Sequence, residues 1–139
     1  MGEVHTEITL VNTEDTMKAR NGLIREAEIR RLTVNALVDT GAWTLVINEE
    51  TREKLGLRIT RTDSGTLADG TKGNYAMAGP LEITWKNRGA ICEAIVLPHA
   101  EEILLGAIPL EAMDLMIHPR KEEVTGAHGD QPLHSLKGI

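Results

Sequence analysis

Aromatic side chains are nearly missing: two tryptophans, one tyrosine and no phenylalanine in 139 residues. A core must therefore be assembled from Leu, Ile, Val, Ala and Met, and stacking of nucleic-acid bases on aromatic platforms is a poor prospect. Cysteine occurs once, at Cys92, so no internal disulfide can form. Within "AICEAIVL" it reads as a small core residue. Positive charge is also short. Fifteen Lys and Arg stand against 21 Asp and Glu, a net charge of -6, which argues against nucleic acid or an anionic membrane as the partner. No apolar run approaches the ~20 residues of a membrane-spanning helix. The opening "MGEVHTEITL" lacks the basic-then-apolar order of a secretory leader. The expected location is the cytoplasm.

With 41% hydrophobic and 26% charged residues, the composition suits one folded domain. "HTEITLVN" has the β-branched, partly alternating character of a strand. "TEDTMKARNG" is polar and ends in a turn signal, Asn-Gly. "LIREAEIRRLTVNALVD" reads as one or two strands; its second half is the cleaner, with Leu32, Val34, Ala36 and Val38 on one face. "NEETREKLGL" has an N-cap at Asn48, acids in the first turn and Gly56 as a stop, so a short helix is expected. Two strands flank "ADGT", Ala68 to Thr71, where Asp-Gly is a preferred hairpin tip. "AICEAIVLP" and "EILL" are further strands, and "PLEAMDLM" has helical spacing. The sum is a mainly β fold with one or two short helices.

"VNALVDTGAWTLVI", Val34 to Ile47, sets the main problem: a carboxylate stands inside an apolar, strand-forming run. Burying an ionised carboxylate without a partner is costly, so Asp39 must be solvated, paired or partly protonated. One reading is a plain hairpin turn. The other is a catalytic carboxylate on a loop between two buried strands. Asp39-Thr40-Gly41 alone is a weak signal. It gains weight from the apolar "ALV" before it, from Ala42 and "TLVI" after it, from the Asp-Gly hairpin further on, and from "ILLG", Ile103 to Gly106, ahead of a helix.

In that order and spacing, "LVDTGA", "ADGT" and "ILLG" make the chain similar to the retropepsin-like aspartic peptidases, in particular their small bacterial single-lobe members. The resemblance implies a closed β-barrel lobe with a flap hairpin, spanning residues 1–118. Residues 119–139 follow as a polar tail or a strand at a dimer interface. It implies catalysis by Asp39, Thr40 and Gly41, and substrate binding by Ala42, Trp43 and the flap residues Ala68, Asp69 and Gly70. Only one such triplet is present, so the implied enzyme is a two-fold homodimer that pairs two Asp39 side chains over an extended peptide or protein substrate. No cofactor and no metal are implied. The chain departs from retroviral members at Trp43, where they carry a small polar or acidic residue. It departs again at Ala107 and Ile108, where they carry an arginine followed by Asp or Asn.

Two other functions fit the residues less fully. One is a peptide-binding or dimerisation module that keeps the fold without hydrolysis. The other is a small-molecule binder in which Asp39 is a turn residue. His5, His99, His118, His128 and His134 lack i,i+4 spacing and none adjoins the cysteine, so solvated or structural histidines are expected.

Overall fold

A computed structural model of the chain describes residues 3–66, 70, 72–118 and 120–129. The strands are β1 (His5–Asn12), β2 (Arg31–Val38), β3 (Leu45–Ile47), β4 (Arg58–Thr66), β5 (Lys72–Trp85), β6 (Arg88–Val96), β7 (Leu104–Leu105), β8 (Leu115–His118) and β9 (Glu123–Gly126). The helices are α1 (Thr13–Arg20), α2 (Glu49–Leu55) and α3 (Ala107–Ala112). The architecture is mainly β, as expected. Seven strands form one sheet in the order β1-β2-β7-β3-β6-β5-β4, and β1 makes a second pairing with β5. β8 and β9 form a separate hairpin.

Alternation places the core. Ile8 and Leu10 on β1, and Leu81, Ile83 and Trp85 on β5, are buried two residues apart, as the pleat requires. They meet Leu45, Ile47, Leu55, Leu105 and Met113 in one cluster. Trp85 has its indole N–H satisfied there by Thr6 Oγ1 at 3.0 Å. Val46, Met77 and Ile95 form a second, smaller cluster with Ala42, Tyr75, Leu97 and Leu104. β3 is thus buried on two faces, which is why "TLVI" is apolar without interruption.

Two elements differ from the sequence expectation. The polar stretch after β1 is helix α1, which makes three helices among the described residues rather than one or two. Asn12 caps it by accepting from the Asp15 amide at 3.0 Å, and Glu14, Asp15, Lys18 and Arg20 complement its dipole. It has no apolar stripe, so hydrophobic periodicity gives no sign of it. The charged half of the next segment is not a strand either. Glu26–Glu28 form a 3-10 turn. Carboxylates satisfy amides that a ladder would otherwise use: Glu28 Oε1 accepts from Arg25 at 2.9 Å, and Asp15 Oδ2 from Arg30 at 3.0 Å.

His118, where the sequence turns polar, pairs with Glu123 inside the β8–β9 hairpin. Val124 is buried in the main core. The buried Arg88 side chain donates to the carbonyls of Met113 at 3.1 Å and Gly129 at 2.8 Å, tying this end to β6. Residues 130–139, the rest of the expected tail or interface strand, lie outside the described residues. No helix among the described residues is long and apolar enough to cross a membrane.

Candidate active site

β2 and β7 run parallel, with Leu37 beside Leu104 and Val38 beside Leu105. The Leu37 amide donates to Ile103 at 2.8 Å and the Asp39 amide to Leu105 at 3.0 Å. Asp39 is therefore the first residue past the end of β2, tied by its backbone while its side chain leaves the sheet. The carboxylate is half-buried, not in the core. Its Oδ1 accepts from the Gly41 amide at 2.9 Å, and the Asp39 carbonyl accepts from Ala42 at 3.1 Å, which closes the turn.

The far side of the loop is held by α3. The carbonyls of Ala42 and Trp43 accept from the amides of Ala107 at 2.8 Å and Ile108 at 3.0 Å, two donors left free by the first helical turn. Gly106 makes this approach possible. A Cβ there would collide with the Thr44 carbonyl and lie 2.6 Å from the Ala42 carbonyl and 2.8 Å from the Thr44 amide. All three are main-chain atoms, so the demand is for space rather than for an unusual dihedral. Beneath the loop, buried Thr44 donates from Oγ1 to the Glu93 carbonyl at 3.1 Å.

Asp39 opens into a cleft of about 580 Å³. Gly41, Ala42 and Trp43 line it beside the carboxylate; Val46, Ile95, Leu97 and Leu104 supply apolar surface; Gly65, Thr66 and Tyr75 come from β4 and β5. Among the described residues Asp39 is the only charged group lining the cleft. An unshielded carboxylate over an apolar floor can accept a proton from a bound water.

Of the residues singled out from sequence, Asp39, Gly41, Ala42 and Trp43 share the cleft. Thr40 is exposed and does not line it. Ala68 and Asp69 lie outside the described residues. Gly70 is exposed with φ +87° and has open space around it, as suits a turn, and it does not line the cleft. Sequence reasoning missed the apolar floor and the β4–β5 wall. The floor had a signal: Val46 and Ile95 are register partners, each between two core-facing neighbours. Tyr75, the sole tyrosine, leans across β4, where a Cβ on Gly65 would sit 3.2 Å from its ring.

A metal has one place to be considered among the described residues. Glu3, His5 and Glu102 bring ligand atoms within 4.8 Å of one another, with His5 Nε2 2.8 Å from Glu102 Oε1. Both carboxylates are exposed.

Residues 25–126 match the family model described as aspartyl protease. The chain belongs to the aspartyl protease family. The matched span holds Asp39 and its loop, the strands of the cleft and "ILLG". Among solved structures, the chain is similar to the EIAV protease in complex with the inhibitor HBY-793. That match has 23% identity and a TM-score of 0.48, over 79% of this chain and 86% of that one. It is also similar to a retropepsin-like aspartic protease from Rickettsia conorii. There the identity is 19% and the TM-score 0.48, over 85% of this chain and 89% of that one. Comparison with curated proteins returns no match.

Proposed function

We propose that this aspartyl protease family member is an endopeptidase that acts as a two-fold homodimer on extended peptide segments, in the cytoplasm. The observation that carries this reading is the placement of Asp39: one carboxylate, fixed by main-chain bonds from β7 and its own turn, opening into a cleft lined by no other charged side chain among the described residues. The β1–β5 pairing supports reading the lobe as a closed barrel that holds the loop against β7.

An ionised carboxylate can take a proton from water but holds none to give to the carbonyl oxygen in the same step. The partner's Asp39, brought in by the symmetry axis, supplies the second group. Two carboxyls in contact do not both ionise readily, so the pair shares one proton, as aspartic proteases do. The ionised member removes a proton from water as the water oxygen attacks the peptide carbon. The protonated member donates to the carbonyl oxygen, giving a neutral gem-diol. Collapse of the diol returns a proton to one carboxylate, delivers one to the amide nitrogen and breaks the C–N bond. A carboxylic acid and an amine leave, and the shared proton is restored. In this reading Thr40 bonds across the axis, Ala42 and Trp43 flank the substrate, and Ala68, Asp69 and Gly70 close over it as a flap.

The test is incubation with a diverse peptide mixture between about pH 4 and about pH 7, beside an Asp39→Asn variant, with sizing across protein concentrations. Cleavage by the parent alone, together with a dimer, supports the reading. A dimer that binds peptides without cutting them makes the chain a binding module. Cleavage by a monomer removes the dyad.

A further inference from the structure

We infer that His5 is a positioning residue for Asp39, acting through its bond to Glu102; the inference rests on the peptidase reading above. β2, which delivers Asp39 at its end, lies between β1 and β7. Its last amides alternate between those neighbours. Leu37 donates to Ile103 and Asp39 to Leu105 on the β7 side, while Val38 donates to the Val4 carbonyl at 2.8 Å on the β1 side. His5 is the register partner of Leu37 on β1, and Leu104 is its partner on β7. Cross-strand partners send their side chains to one face of a sheet, and residues two apart on a strand share it. His5, Leu37, Leu104 and Asp39 therefore start from the same face, the one that carries the cleft. On that face Glu102 Oε1 accepts from His5 Nε2 at 2.8 Å. The bond ties β1 to the chain entering β7 and bridges β2 two residues before Asp39.

β7 is where such a tie has an effect. It is two residues long, shorter than an ordinary strand, and it pairs with β2 at two positions and with β3 at one. Yet its Leu105 carbonyl is the acceptor that fixes the Asp39 main chain. The exit of β7 is held, because α3 follows at once and its amides bond to Ala42 and Trp43. The entrance is held by Glu102, three residues before Leu105. Glu3 does not share the bond: its Oε2 stands 3.9 Å from the same His5 nitrogen, past hydrogen-bond reach. Neither His5 nor Glu102 lines the cleft, so the effect reaches the reaction through the main chain and not by contact with substrate. Both side chains are partly exposed, 32% for His5 and 45% for Glu102, which limits the effect to about fivefold.

The test compares the full chain with His5→Ala and His5→Gln. In His5→Ala, kcat per folded molecule is expected to fall about threefold to fivefold with KM unchanged, since the cleft lining is untouched. His5→Gln is expected to restore kcat, because a Gln side-chain N–H can stand where Nε2 does and donate to Glu102. Amide hydrogen exchange read by NMR needs no substrate: in His5→Ala, the Leu37 and Asp39 amides should lose more protection than the amides that join β5 to β6. A pair that only adds to overall stability would lower protection evenly and leave kcat per folded molecule where it is. Even loss, unchanged kcat or a His5→Gln that behaves like His5→Ala overturns the inference. Cleavage by the parent that still needs Asp39 leaves the peptidase reading standing in each of those cases. A parent that cuts nothing removes the peptidase reading, and this role for His5 with it.

Discussion

Asp39 and Leu105 are joined main chain to main chain, the Asp39 amide donating to the Leu105 carbonyl at 3.0 Å. The next residue, Gly106, is the pivot about which the chain turns from β7 into α3 and takes up the far side of the same loop. The position of the carboxylate therefore depends on a residue with no side chain.

Gly106→Ala tests that dependence. The nearest atoms its methyl group meets are main-chain atoms of Ala42 and Thr44, which have no rotamer to change and yield only if the backbone shifts. Stability is expected to fall by about 3 kcal/mol, read from urea midpoints. Activity per folded molecule should fall as well, because the Asp39 loop must move to admit the methyl.

Asp39→Asn separates chemistry from folding. The carboxylate is half-buried and accepts a hydrogen bond from the Gly41 amide. An Asn oxygen can accept the same bond, so stability should stay within about 0.5 kcal/mol of the parent. Cleavage should drop about a thousandfold or more, measured by single-turnover hydrolysis of a peptide the parent cuts.

How much of this was legible in sequence follows from what leaves a periodic or local mark. β2 showed itself through Leu32, Val34, Ala36 and Val38. α2 showed itself through Asn48, which accepts from Thr51 at 2.9 Å, and through Gly56, which is left-handed at φ 62°. Asp39, Gly41, Ala42 and Trp43 were legible because they are contiguous. The β4–β5 wall was not, because Gly65 and Tyr75 reach the cleft only after the hairpin folds across the sheet. α1 was missed because its stabilisation is polar and long-range. Its sole buried residue is Asp15, and the partner of Asp15 is Arg30, beyond the next turn.

That pair gives a pH prediction. Asp15 is buried and accepts from Arg30 Nε at 2.8 Å, Nη2 at 3.0 Å and the Arg30 amide at 3.0 Å. The guanidinium holds the Asp15 carboxyl below its ordinary value of 3.8. A carboxyl lowered on folding adds stability that is fully present above its unfolded value. That stability is lost as pH falls through the folded one. Asp15→Asn is expected to cost about 2–3 kcal/mol at neutral pH, toward the low end for a buried pair because Arg30 is half exposed. Urea midpoints of parent and variant should converge as pH drops below about 4. Asp114, lowered by its bond to His128, steepens both acid limbs alike.

Cys92 offers a check on the packing of β6 that needs no substrate. Burial pushes its thiol up to about 11, against an ordinary 9.0, with the Thr44 hydroxyl acting the other way. Only the thiolate is an efficient nucleophile, so at pH 8 the reactive fraction should be about 100-fold below that of a free thiol. The folded protein should react with a disulfide reagent at least that much more slowly than the same chain in urea, because limited access adds to the shifted ionisation. A folded-state rate close to the urea rate would mean that β6 does not pack against the Thr44 segment, and with it the floor beneath the Asp39 loop.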